Sequence, residues 1–171
     1  GAAAQTYEHD PSVDVANNAN SGSLKATVEF DLASAAGDNQ FALVGAFPEN
    51  ATVDATQYTN LVFDLRWDAS SPMRAAGDFG FLEPGFRKSD FGQAWLSGFA
   101  LPAGASKWMG VTLPINPATA GLDAVTGIVL KMWSGDPNTG FTGPATFWID
   151  NVRLIGRTGT TTPSPTLSIE E

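Results

Sequence analysis

Apolar and polar residues alternate with a period of two along much of the chain. In SLKATVEFDL, residues 23 to 32, Leu24, Ala26, Val28, Phe30 and Leu32 fall on one side and Lys25, Thr27, Glu29 and Asp31 on the other, the pattern of a strand with one buried face. NLVFDLRWD repeats it, with Leu61, Phe63, Leu65 and Trp67 against Val62, Asp64, Arg66 and Asp68. TGIVLKMWS sets Ile128, Leu130 and Met132 against Val129, Lys131 and Trp133. Shorter runs predict strands at 5–10, 41–47, 78–82, 94–101, 108–115 and, in TFWIDNVRLIG, 146–156, about nine or ten in all. Turn chemistry separates them, at AAGDN, FPEN, SSP, EPG, LPAGAS and SGDPNTG. Only PATAGLDAV, 117–125, suits a turn or two of helix. The pattern predicts an all-β fold, an antiparallel two-sheet β-sandwich of jelly-roll type with its apolar faces stacked about 10 Å apart.

Composition sharpens this picture. The 171 residues suit one domain, and the segment after Arg157, TGTTTPSPTLSIEE, is too poor in core-forming residues to fold alone, so residues 1–156 are read as the domain and 157–171 as a linker or tail. Cysteine is absent, which removes disulfides, thiolate metal sites and thiol nucleophiles. A net charge of −9 with only nine Lys and Arg argues against nucleic acid as a partner. No apolar run reaches the roughly 20 residues that span a bilayer, and GAAAQT lacks the features of an export signal, so any such signal was removed or never included.

One residue resists the strand reading. Asp150 lies in the last strand among Phe147, Ile149, Val152 and Leu154, and a buried carboxylate requires a basic group or a metal ion.

The segments YEHD, SGSLKATVEF, YTNLVFDLRWD, KWMGVTLPI, GIVLKMW and TGPATFWIDNVRL, in that order over residues 5 to 156, resemble the β-jelly-roll carbohydrate-binding modules attached to bacterial glycoside hydrolases, most of all those binding β-1,4-glucans. The resemblance implies a secreted, extracellular, non-catalytic monomer that binds cellulose, mixed-linkage β-glucan or xyloglucan and targets an attached catalytic domain. It further implies a structural calcium ion held by Glu8, Asp10 and Asp150 with main-chain carbonyls near Ser23 to Lys25, a donor set suited to a hard cation. The alternatives for Asp150 are pairing with Arg153 or Lys25, or exposure to water. His9, the single histidine, is read as a surface or turn residue.

Sugars bind exposed aromatic planes flanked by hydrogen-bonding groups. Trp67 shares its alternation with core residues and is assigned to the core. Trp133 and Lys131 face outward together and are the leading ligand residues, and Trp108, ahead of inward Met109, Val111 and Leu113, also faces out. Trp95 suits either side and gains an amide partner if it shares a face with Gln93; Trp148 is assigned to neither set. Asp64 and Arg66 are expected to supply polar contacts beside Trp133. The loop EPGFRKSDFGQAW forms either a rim over the site or a turn whose phenylalanines tuck under.

Two other classes remain. A jelly-roll glycoside hydrolase needs two carboxylates roughly 5–10 Å apart, but glutamates are sparse and no E-x-D-x-E run occurs; a lyase needs a basic cluster with Tyr or His, against two tyrosines and one histidine here. There is no glycine-rich phosphate cradle and no G-x-S-x-G elbow. An adhesive surface module using its Trp residues for protein contact is the third reading.

Overall fold

A computed structural model describes residues 5–18, 21–33, 39–47, 51–157 and 168–169. The strands are β1 (Gln5–Asp10), β2 (Ser23–Phe30), β3 (Gln40–Ala46), β4 (Tyr58–Trp67), β5 (Asp78–Lys88), β6 (Gln93–Trp95), β7 (Phe99–Pro102), β8 (Met109–Pro114), β9 (Val125–Trp133), β10 (Gly143–Gly156) and β11 (Ser168–Ile169). They form two antiparallel sheets, one in the order β1-β2-β10-β4-β8 and the other β11-β3-β9-β5-β6, with β7 also on β5. The described residues contain no helix long and apolar enough to cross a membrane. Residues 117–124 form turns without helix, and among the described residues the helical pieces are 3-10 turns at Ala55–Gln57 and Ala103–Ser106.

The period-two pattern fixes which face each strand buries. Leu61, Phe63, Leu65 and Trp67 of β4 are all buried, as are Ile128, Leu130 and Met132 of β9. Between the sheets, Trp67 stacks on Phe147 at 4.8 Å and on Phe79 at 5.8 Å, while Phe41 contacts both Phe147 and Tyr7 at 6.0 Å. These rings span both layers, so the aromatic core ties the sandwich together. Several strands end where an aspartate accepts the N–H two residues on, as Asp10 does from Ser12, Asp68 from Ser70 and Asp90 from Gly92.

Two expectations are corrected. EPG is strand rather than turn: Glu83, Pro84 and Gly85 lie inside β5, opposite Lys131, Leu130 and Val129. Pro84 fits because its carbonyl accepts the Leu96 N–H in the gap between β6 and β7, so the N–H that proline lacks falls where pairing is already interrupted. The run 94–101 is correspondingly two strands, β6 and β7. Gly98 lies between them, and a Cβ there would come within 2.7 Å of the Phe81 ring and 2.9 Å of the Leu82 carbonyl.

In β10, Thr146, Trp148 and Asp150 face away from the core. A bulge follows, with Asn151 at φ 52° and the register against β4 shifting between Asp150 and Arg153. Most of the expected tail, and most of AAGDN and FPEN, lie outside the described residues, while 168–169 pair with Ala46 and Gly45.

Candidate functional site

The outward wall of the second sheet is laid out in cross-strand rows. Gln40, Trp133 and Phe81 form one row; Ala42, Lys131 and Glu83 the next; Val44, Val129, Gly85 and Trp95 a third; Ala46, Gly127, Arg87 and Gln93 a fourth. Trp133 is half-buried and Trp95 is 42% exposed, and both stand on this wall. Gln93 and Trp95 flank buried Ala94, so they share a face as the amide pairing required. Val129, expected outward, is buried there beside Gly85, whose added Cβ would meet the Trp95 ring at 2.9 Å.

Lys131 organises the two indoles. Its ammonium lies 4.4 Å from the Trp133 ring centroid and 5.5 Å from that of Trp95, and pairs with Glu83 at 3.1 Å. Cation–π attraction to two rings and one ion pair hold the cation between them, which fixes the spacing of the aromatic planes. Nε1 of Trp133 is buried without a hydrogen-bond acceptor.

Beside Trp133 the wall opens into a cleft of about 220 Å³ lined by Arg74, Phe81, Glu83, Trp133, Gly135 and Asp136. Gly80, at φ 103°, permits the close approach of β5 to β9 at this point, since a Cβ there would collide with the Trp133 carbonyl. At its rim the Arg74 guanidinium donates from Nε and Nη2 to the two Asp78 oxygens at 2.6 and 2.9 Å, and the Gly80 N–H donates to Asp78 at 2.9 Å. The Arg74 hydrogen bonds hold the Asp78 carboxyl below the usual carboxylate range. This stabilisation is complete above the unfolded carboxylate pKa of about 3.9 and is lost as pH falls through the lower folded value. Asp78→Asn is therefore expected to flatten the decline of melting temperature below about pH 4; an unchanged acid slope would refute the assignment.

Glu83, Phe81, Arg74 and Asp136 were not read from the sequence. The Pro84-Gly85 pair disguised Glu83 as a turn residue, and its register opposite Lys131 is a cross-strand pairing that the sequence does not display. The 83–95 loop also divides: Phe86 is buried in the core and Phe91 is exposed.

Three expected ligand residues belong elsewhere. Asp64 and Arg66 lie on β4 in the first sheet, between β10 and β8, so they do not adjoin Trp133. Arg66 lies 5.0 Å over Trp148, and Asp64 accepts from Asn151 Nδ2 at 2.9 Å. Half-buried Trp108 precedes β8 at the edge of that sheet, with the parity of outward Gly110 and Thr112. Alternation assigns a face within a sheet but not which sheet a strand joins.

One end of the first sheet's wall is covered by its own chain, while Glu29, Gly110 and Thr112 on the same wall stay exposed. The segment after β1 lies across that end, with the Ser23 hydroxyl donating to the Val13 carbonyl at 2.7 Å and the Val15 N–H to Asp150 at 3.1 Å. Trp148, only 6% exposed, donates its indole N–H to Asp10 at 3.0 Å. Ser12 first, then Trp148, lowers the Asp10 pKa.

The carboxylates expected to hold calcium are thereby engaged one by one. Glu8 pairs with Lys25 at 2.7 Å, Asp10 accepts from Ser12 and Trp148, and Asp150 accepts from the Val15 and Asn151 N–H groups. Among the described residues no group of three acidic or histidine side chains converges, so an ion held by Glu8, Asp10 or Asp150 would take most of its oxygens from the main chain, including the carbonyls near Ser23 to Lys25. Asp150 is tolerated because it faces outward and receives two main-chain donors. His9 is exposed, as expected. The expected calcium ion is tested by melting in excess chelator and in millimolar Ca²⁺: a rise of several degrees with Ca²⁺ supports it, and agreement within about 1 °C removes it.

Comparison with known proteins places this architecture. No protein-family model and no curated protein sequence matches the chain. Among solved structures, CBM27-1 of Caldicellulosiruptor saccharolyticus in complex with mannohexaose matches with a TM-score of 0.54 at 19% identity, over 87% of this chain and 80% of that one. The chain is an all-β jelly-roll sandwich. An arabinose-bound α-L-arabinofuranosidase (TM-score 0.57, 15% identity) and an exo-β-agarase (0.57, 10%) are also similar, over 86% and 94% of this chain. The chain spans only 22% and 23% of those two enzymes.

Proposed function

We infer that this jelly roll is a non-catalytic carbohydrate-binding module whose ligand lies along the outward wall of the second sheet. The observation that carries the reading is the pair of outward indoles, Trp133 and Trp95, held by one ammonium between them. Such rings present flat apolar planes to the C–H faces of pyranoses, while Glu83, Gln93 and Gln40 on the same wall offer hydrogen bonds to hydroxyls. The neighbour solved with mannohexaose supports a polysaccharide ligand.

Within that class we assign β-1,4-linked glucans, namely cellulose, mixed-linkage β-glucan or xyloglucan. The chain acts outside the cell as a monomer and delivers an attached glycoside hydrolase to its polymer. Two of the three carboxylates at the cleft and its rim, Asp78 and Glu83, favour binding over catalysis. Glycoside hydrolysis requires one carboxyl kept protonated by a raised pKa, whereas Asp78 is pushed the other way by Arg74 and Glu83 is paired with Lys131.

Calorimetric titration with cello-, manno- and xylo-oligosaccharides tests this reading. Saturable binding with cello-oligosaccharides tightest is expected, without release of new reducing ends. Failure to bind any of the three would favour a protein-contact module, and turnover would favour the enzyme.

A further inference from the structure

The margin of the same wall carries an exposed ring outside the Trp133–Trp95 platform. The β5–β6 hairpin closes with the Lys88 N–H donating to the Gly92 carbonyl at 2.8 Å and the Phe91 N–H donating to the Lys88 carbonyl at 3.1 Å. Lys88 and Asp90 pair across the tip at 3.3 Å, and Asp90 also accepts the Gly92 N–H at 2.9 Å. In a hairpin of this pattern the residue that follows the turn takes a left-handed conformation and is ordinarily glycine. Here Phe91 holds that place at φ 64°, although a glycine follows directly. A bulky residue is strained there, and Phe91 is 74% exposed, so its ring gains little from burial. Strain kept without burial points to a use outside the fold.

Position along the margin gives that use a direction. Phe91, Gln93 and Trp95 alternate with Gly92 and buried Ala94, and all three are exposed. Arg87 stands opposite Gln93 in the outward row and is engaged with partners of its own. Its guanidinium lies 5.1 Å over the Phe91 ring, which sets that ring on the outward side too and leaves its other face to solvent. Phe91 and Trp95 are thus the ends of a line at most about 14 Å long, with a primary amide between two aromatic planes.

We propose that Phe91 is a distal stacking position for the polysaccharide on the wall, extending its track from Trp95 past Gln93 to the hairpin tip. One pyranose rests its C–H face on the Phe91 ring, and the Gln93 amide donates to and accepts from hydroxyls of the stretch between. The occupant is the same chain, because Trp95 belongs both to the platform and to this line. The subsite rests on the platform reading and adds to it a preference for longer chains. It asks no charge of the ligand and none of Arg87.

Calorimetric titration with cellotriose and cellohexaose, in the wild type and in Phe91→Ala, Phe91→Gly and Phe91→Trp, tests it. Phe91→Ala and Phe91→Gly should each weaken cellohexaose about fivefold and leave cellotriose, which Trp133 and Trp95 accommodate by themselves, unchanged. Glycine suits the left-handed backbone, so that variant keeps the fold. Phe91→Trp should bind cellohexaose at least as tightly as the wild type. Wild-type cellohexaose affinity in both truncated variants, or an equal loss for the two ligands, overturns the subsite and leaves the Trp133 platform standing. Wild-type sugar affinity with a changed molar mass by light scattering overturns it too and assigns the ring to contact between copies. No binding of either ligand by the wild type overturns platform and subsite together.

Discussion

Replacing Trp133 by alanine is expected to lower affinity for cello-oligosaccharides roughly 10- to 150-fold, since a ring that covers a sugar face contributes about 1.5–3 kcal/mol through the apolar area it removes from water. The variant should still unfold cooperatively, because Trp133 is half-buried on the outer wall and makes no part of the inter-sheet aromatic core. The loss reaches beyond one ring. Without the Trp133 indole, Lys131 keeps only Trp95 and Glu83, so the second plane is held less firmly. Calorimetry beside a thermal melt separates the two effects. Wild-type affinity in a folded Trp133→Ala protein would remove the central support for the proposed function.

Phe147→Ala should act in the opposite way, with a large loss of stability and no direct effect on the ligand wall. Phe147 is fully buried, stacks on Trp67 at 4.8 Å and touches Phe41 of the other sheet at 6.0 Å. Truncating a core phenylalanine costs about 3–5 kcal/mol through lost burial and the cavity left behind. For a domain of this size that lowers the melting temperature by roughly 10 °C or more. Denaturant titration should show a lower midpoint at unchanged slope. A cost below about 1 kcal/mol would mean that the sheets close around the gap and that the aromatic chain is not what joins them.

The fold was legible because its signal is local. Leu61, Phe63, Leu65 and Trp67 bury together since neighbouring side chains on a strand must point to opposite faces, whatever the rest of the chain does. The site was legible in half. Trp133 and Lys131 sit on one regular strand, so their shared face followed from alternation alone, whereas Trp95 and Gln93 stayed undecided until β6 was seen to end before Gly98. What brings the two pairs together is the order β9-β5-β6, a long-range fact that no window of residues contains. The same ignorance placed Asp64 and Arg66 beside Trp133, when β4 belongs to the other layer. Asp150 shows a third limit. Its partners are main-chain N–H groups, which every residue type carries, so composition gave no hint that Val15 would answer it.

The proline of β5 and the break between β6 and β7 bear on how such modules behave in company. A sheet margin with a continuous row of unpaired N–H and C=O groups is a template on which another copy can add a strand. Here that margin consists of a three-residue and a four-residue piece interrupted at Gly98. Proteins that crowd onto one polymer fibre meet at high local concentration, where fusion into aggregates is a constant hazard. If the chain gathers on a polymer as proposed, this margin would offer a neighbouring copy no continuous strand to pair with.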